Sequence, residues 1–247
     1  MSVALRELVS YLDALLEPWR FQDYCPNGLQ VEGRSQVAKV ASGVTASQRL
    51  LDAAAEWGAD AILVHHGYFW KGEEQAVVGM KRRRLATLLG HDISLLAYHL
   101  PLDDHPTLGN NARLGELLGL QDHRPLQSGG EGVGNIAELP AALPVSELLA
   151  SLRRITGREP LHIAADVAGV RHIAWCTGAA GLHRGGNCRG RGRVYYGRGL
   201  RANGTYCPGR GHSLYRRRTP RHRALRSAGG GRTVGAGVLI AAPLYRY

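Results

Sequence analysis

Apolar positions along the chain follow two rhythms. Leu5, Leu8, Leu12, Leu15 and Leu16 recur at helical spacing and predict an amphipathic helix over Val3–Glu17. Ser47–Trp57, Met80–Leu89, Asn110–Leu118 and Val145–Ile155 carry the same period, with Ser47 placed to cap the first of them. Between these helices stand short apolar runs at Val37–Val44, Ala61–Val64, Ile93–Tyr98, Leu161–Ala164 and Val170–Trp175. Near-continuous apolar runs of that length are the signature of strands buried on both faces, as in parallel sheets. Alternation of such strands with helices predicts an α/β layered fold. Tyr24-Cys25-Pro26-Asn27-Gly28 reads as a turn, and the glycine-rich stretch Gln127–Asn135 as a domain junction.

The apolar run Ala61–Val64 leads directly into His65 and His66, and Ile93–Tyr98 leads into His99, Asp103, Asp104 and His105. Ligand crevices of open α/β sheets lie beyond the carboxyl ends of the strands, so neighbouring strands would bring these groups to one edge. Imidazole with carboxylate suits a metal site that activates water. Adjacent strand residues point to opposite faces. His65 and His66 therefore meet only if the chain turns there, or each serves a different ion. Asp104 reads as a solvated loop charge, Lys71–Glu74 as a charged surface turn and Lys81–Arg84 as a solvated helix face.

Charge changes the picture in the last quarter of the chain. The net charge is +11, yet residues 181–247 contain fifteen arginines, no lysine and no acidic residue. Residues 1–180 are left with sixteen basic against 20 acidic residues, so the basic character belongs to the tail. Four cysteines without a CxxC pair suggest neither a disulfide framework nor a zinc knuckle. No apolar stretch reaches the length of a membrane span, and Met1-Ser2-Val3 does not open a secretory signal. A cytoplasmic protein without membrane partners is expected.

Y-C-P-N-G-L-Q-V-E-G (24–33), G-V-T-A-S (43–47), H-H-G-Y-F-W-K-G (65–72), G-M-K-R (79–82), H-L-P-L-D (99–103) and L-G-N-N-A (108–112) resemble, in order and spacing, the Nif-three-like family of GTP cyclohydrolase I type 2 homologues. The resemblance runs to about residue 180. It implies two similar layered α/β domains, a dinuclear centre of divalent metal ions and a ring-shaped homohexamer. By matching motif it implies His65, His66 and Asp103 as metal ligands, with His99 lining the same cavity. The implied function is metal-dependent hydrolysis of a small substrate, a nucleotide among the options, and the alternative is a metal-binding assembly or regulatory protein without turnover. The expected division is a metal-binding domain over 1–126, the start of a second α/β domain over 127–180 and an aberrant Arg/Gly-rich tail over 181–247.

The family's remaining ligands belong to a C-terminal G-H-H-A-T-E motif that residues 181–247 lack as written. An RG-rich tail can bind RNA through its arginines. A one-base slip near Ala180–Leu182 accounts for more. Read from the second base of each codon, Tyr215–Arg226 permits I-A-A-G-H-H-A-T-E-R-Y, with the two histidines at the places of Thr219 and Pro220 and the glutamate at Arg223. On this reading nucleic acid is not a partner. The tail is expected to be disordered, and the second sheet to lack strands.

Overall fold

The computed structural model describes residues 2–120, 122–125, 134–163 and 169–177, with two further strands at 193–198 and 213–217. The chain divides into two units, the first ending at His105 and the second beginning at Pro106. Among the described residues no helix is long and apolar enough to cross a membrane.

The first unit is built on β2 (Gly28–Val31), β4 (Val40–Thr45), β5 (Ala61–His66) and β6 (Ser94–Ala97), in the sheet order β2-β6-β5-β4. β4, β5 and β6 run parallel, and β2 pairs antiparallel with β6. The short strands β1 (Val3–Ala4) and β3 (Gln36–Val37) form a separate antiparallel ribbon. Helices α1 (Leu5–Leu16), α2 (Gln48–Trp57) and α3 (Gly79–Gly90) complete the layers. The expected helices and strands are present within a few residues of their predicted bounds, except that the run Val37–Val44 divides between β3 and β4. Ser47 caps α2 as expected, its hydroxyl accepting from the Leu50 N–H.

The apolar runs are continuous because the sheet is covered on both sides. Ile62 and Val64 of β5 and Leu95 and Ala97 of β6 pack with Leu51, Ala54 and Leu88 from α2 and α3. Ala61 and Leu63 of β5, with Leu96 of β6, pack instead with Leu5, Leu12 and Leu16 of α1. A period of two thus sorts each strand between two cores. Tyr98, 1% exposed, ties the second core to α1 by donating its hydroxyl to Asp13 Oδ1 at 2.7 Å.

The second unit contains α5 (Asn110–Leu117), α6 (Val145–Thr156) and a six-stranded sheet. Its strands are β7 (His123–Pro125), β8 (Asn135–Pro144), β9 (Leu161–Ile163), β10 (Gly169–Trp175), β11 (Arg193–Arg198) and β12 (Ser213–Arg217), in the order β7-β8-β10-β11-β12-β9. Trp175 centres its core, donating its indole N–H to the Asn111 carbonyl at 2.9 Å. Gly115 of α5 lies so close to that ring that an added Cβ would stand 2.7 Å from Trp175 Cζ2. Packing on Trp175 is why α5 belongs to the second unit, although the expected division at 126/127 places it in the first.

The tail departs from expectation in one respect. β11 pairs parallel with β10, and β12 parallel with β11, so the second sheet does not lack strands at 193–198 and 213–217. Ladder pairing uses backbone groups, and Val194-Tyr195-Tyr196 is text that suits a strand. The expectation of disorder for the rest of 181–247 lies outside the described residues.

Asp60 secures the loop before β5. Its carboxylate accepts the N–H groups of Ala38 and Lys39 at 2.8 and 2.9 Å and pairs with Arg34 Nη1 at 2.8 Å. Burial alone would push this carboxyl up. The two backbone N–H groups and the Arg34 guanidinium outweigh it and hold the group below the usual carboxylate range. Its stabilisation is therefore complete above the ordinary value of 3.8 and is lost as pH falls through the lower folded value. Asp60→Asn is expected to cost about 1–3 kcal/mol in urea unfolding at pH 7, and to narrow its gap from the parent chain in strong acid.

Candidate metal centre

β5 ends at the edge of the sheet with His65 and His66, and alternation places them in different phases. His65 follows Ala61 and Leu63 toward the α1 side, and His66 follows Ile62 and Val64. The rings nevertheless meet, with centroids 4.4 Å apart. Each is held from a neighbouring strand end: His65 Nδ1 lies 3.2 Å from the Tyr98 carbonyl beyond β6, and His66 Nδ1 3.1 Å from Thr45 Oγ1 at the end of β4. The chain then turns at Gly67, which is the condition under which adjacent histidines can share a place.

That turn needs glycine. A Cβ at Gly67 would stand 2.6 Å from Ala97 Cβ and collide with the Gln30 side-chain carbonyl. Gln30 is locked there because its Oε1 accepts the Tyr68 N–H at 2.7 Å while its Nε2 donates to the Pro26 and Tyr68 carbonyls. Trp70 closes the same turn by donating its indole N–H to the Gly67 carbonyl at 3.1 Å. Its ring stands edge-on to His99, centroids 4.9 Å apart.

His99 follows β6 and begins α4 (Leu100–Asp104). Its ring centroid is 4.9 Å from that of His65 and 5.7 Å from that of His66. One donor atom from each of His65, His66 and His99 lies within 4.8 Å of the other two. Asp103, on α4 and 2% exposed, approaches this group through His65, its Oδ1 standing 3.6 Å from Nε2. Of the residues expected from sequence, His65 and His66 are brought together and Asp103 lies beside them. The three imidazoles form a group of possible ligands without the carboxylate. His105 joins neither three-residue group of possible ligands found among the described residues. Asp104 is half-buried and not a solvated charge; burial, with the Asp103 carboxylate, pushes its carboxyl up against the opposing charges of Arg20 and His105.

Asp23 is the residue that sequence reasoning missed. Its side chain is 2% exposed and accepts four N–H groups. Oδ1 takes His99 Nδ1 at 2.7 Å and the Tyr24 N–H at 2.6 Å; Oδ2 takes the Leu100 N–H at 2.9 Å and Asn27 Nδ2 at 3.0 Å. Asn27 Oδ1 in turn accepts the His99 N–H at 2.7 Å. Burial alone would raise the Asp23 carboxyl. The hydrogen bonds from His99, Leu100 and Asn27, with the charge of His99, hold it below its usual range instead. The pattern D-Y-C-P-N reads as a turn, and it is one. Its side chains are aimed at a strand end 72 and more residues away, which local spacing does not reveal.

Asp23, Cys25 and His99 also form a three-residue group with donor atoms within 4.8 Å. It is a poor metal site. Four N–H groups fill the lone-pair positions of Asp23. Burial, aided by the Asp23 charge, pushes the Cys25 thiol up to about 12, so no thiolate is at hand at neutral pH.

Two outcomes follow from this geometry. Gly67→Ala is expected to destabilise the chain by about 1–3 kcal/mol, read from the urea midpoint, since neither Ala97 nor the locked Gln30 can give way. Cys25 in the folded chain is expected to alkylate about a thousandfold more slowly than an ordinary thiol whose pKa is 9.0, measured by mass mapping after iodoacetamide treatment at pH 8.

Comparisons with known proteins agree on the family and the fold. A curated relative from Pseudomonas aeruginosa, a GTP cyclohydrolase 1 type 2 homolog, is 55% identical over 181 residues, covering 73% of this chain and 71% of its own. A homolog of the same name from Vibrio cholerae is 47% identical over 174 residues, covering 70% and 69%. Among solved structures, the protein ybgI superposes with a TM-score of 0.70 at 37% identity, covering 86% of this chain and 85% of that one. TTHA1606 from Thermus thermophilus gives 0.69 at 32% identity, covering 87% and 86%. HcgD from Methanocaldococcus jannaschii, at 20% identity and a TM-score of 0.67, shares the fold. The pattern that defines the Duf34/NIF3 (NGG1p interacting factor 3) proteins matches residues 3–183. The chain belongs to the Duf34/NIF3 family.

Proposed function

We propose that this protein binds divalent metal and hydrolyses a small substrate, with nucleotides as the first class to examine. His65, His66 and Asp103 are the proposed ligands. The observation that carries the reading is the meeting of imidazoles at the end of β5, each with Nδ1 held by an oxygen from outside the cluster. Histidines that ligate metal are bonded in this way, because the outer oxygen fixes the ring and its tautomer. A bound divalent ion would supply Lewis-acid polarisation and a water acidic enough to attack at neutral pH. The chain's own contribution is orientation and a neutralising charge. Thr45 at the end of β4 and Tyr98 beyond β6 hold the two rings, Asp103 brings a buried carboxylate, and Trp70 stands edge-on to His99.

The name shared by the curated relatives makes GTP the first substrate to test. Two ions are proposed for the intact centre, the second depending on the C-terminal G-H-H-A-T-E text that a one-base slip would remove from this chain. Self-assembly into a homohexamer and a cytoplasmic location complete the proposal.

Elemental analysis of the purified full chain is expected to return at least one divalent ion per chain, lost in His65→Ala, and two from a gene with the frame restored. Metal-dependent product release from GTP or another nucleotide is expected of the restored chain and not of its Asp103→Asn variant. A folded chain that takes up no zinc, manganese, iron or cobalt would overturn the metal reading. Full metal content with inertness across a nucleotide panel would overturn the hydrolase reading and leave a metal-binding assembly protein.

A further inference from the structure

We propose that Lys81 and Arg84, neighbours on α3, bind the phosphate chain of the substrate, so that the substrate is a phosphorylated compound held by its charge rather than by a base. This deepens the hydrolase reading above and rests on it.

The run Lys81–Arg84 is expected from sequence to be a solvated helix face, and only its middle is. Arg82 and Arg83 are exposed, whereas Lys81 and Arg84 are half-buried, three residues apart and so adjacent on the helix surface. Each lies on a ring of the turn that follows His66. Lys81 Nζ stands 5.3 Å from the Phe69 ring centroid and donates to the Glu74 carbonyl at 2.9 Å; Arg84 Cζ stands 5.9 Å from the Tyr68 centroid. Phe69 has a φ of +62°, a left-handed state that a bulky residue rarely adopts and that collects at binding sites. Tyr68 donates its hydroxyl to the Ala46 carbonyl at 2.7 Å, and the Ala46 N–H bonds to the His66 carbonyl at 2.9 Å. Arg84 is thus placed where β4 and β5 end, on the α2 and α3 side toward which alternation also directs His66.

What these cations lack is an acid. Arg34 pairs with Asp60 and Arg113 with Glu116, but none of residues 81–84 forms an ion pair among the described residues. Arg84 Nε is shut off from solvent and has no hydrogen-bond acceptor there. The first turn of α3 holds no acidic residue either, although cations at that end of a helix oppose its dipole. Glu73 is the acid that also acts on Tyr68: burial pushes the Tyr68 hydroxyl up to about 12 against the charge of Arg84, and the charge of Glu73 adds to the rise. Its carboxylate is engaged elsewhere, Oε2 accepting the Trp70 N–H at 3.0 Å. A guanidinium already half out of water loses little further hydration when an anion arrives, and its fork suits two phosphate oxygens. Two cations side by side match a chain of phosphates, as in a nucleoside di- or triphosphate, better than a lone carboxylate.

The test is lysine acetylation, because Lys39, Lys71 and Lys81 are the lysines of the chain and the arginines of residues 181–247 do not react. The full chain is treated with acetic anhydride alone or with GTP, inorganic tripolyphosphate or guanosine. Each lysine is then read by mass mapping, and metal content is measured alongside. GTP and tripolyphosphate are expected to slow acetylation of Lys81 and leave Lys39 unchanged, and guanosine to protect neither. Arg84→Gln is expected to raise the tripolyphosphate concentration needed by about tenfold or more, with Arg84→Lys recovering part of the loss. Arg82→Gln with Arg83→Gln, which removes more charge from the exposed face, should change it less than about twofold. Far-UV circular dichroism and urea midpoints separate these effects from misfolding, and the footprint of the parent chain needs no variant at all. Guanosine protecting as well as GTP, no protection of Lys81 in a chain with metal bound, or equal losses in the Arg84 and Arg82–Arg83 variants would overturn this inference alone. Protection of Lys81 in a chain that takes up no metal would overturn the metal reading and leave the phosphate contact standing.

Discussion

The centre depends on oxygen atoms placed behind imidazoles. Tyr98 O, Thr45 Oγ1 and the Asp23 carboxylate each hold one Nδ1, and each comes from a different stretch of chain. A surface histidine samples several rotamers, and ordering it costs entropy. Here that cost is met during folding, because two of the anchoring oxygens belong to the ends of strands that pair with β5 or lead on from it. The third, Asp23, is fixed by four hydrogen bonds of its own. The rings are then positioned by the sheet rather than by whatever they bind.

This placement follows from burial on both faces. α1 covers one side of the parallel strands and α2 with α3 the other, so β5 and β6 are locked in register along their length. A one-residue slip of β5 would exchange Ala61 and Leu63 with Ile62 and Val64 between two cores, and would carry His65 away from Tyr98. The same apolar packing that stabilises the unit therefore also sets where the imidazoles stand. Gly67 and Gln30 finish the arrangement by letting the chain leave the sheet at once.

The second unit shows where sequence reading is weak. Over Asn135–Pro144 two prolines and a run of small residues hide the strand β8, since proline argues against a ladder position. The structure accommodates Pro140 within an irregularity: the β10 partner shifts from Leu143 to Glu138 between Val170 and His172. β2 escaped for a related reason, as Gly28 has a φ of +96° and the pairing with β6 is broken between Leu29 and Val31. The period of α5 shows that it is a helix but not which core takes its apolar face; Leu114 packs in the core around Trp175.

Sequence by itself determined the layered α/β class, the strand–helix alternation of the first unit, the family and the two histidines at the end of β5. These follow from short-range periodicity and from motifs contiguous in the chain, and such information survives in a linear text. Tertiary structure alone decided that His65 and His66 share one place despite opposite phases, and that Asp23 stands behind His99. The physical reason is that hydrogen-bond partners separated by 21 to 76 residues leave no spacing signal. They become neighbours only when parallel strands are brought to a common edge.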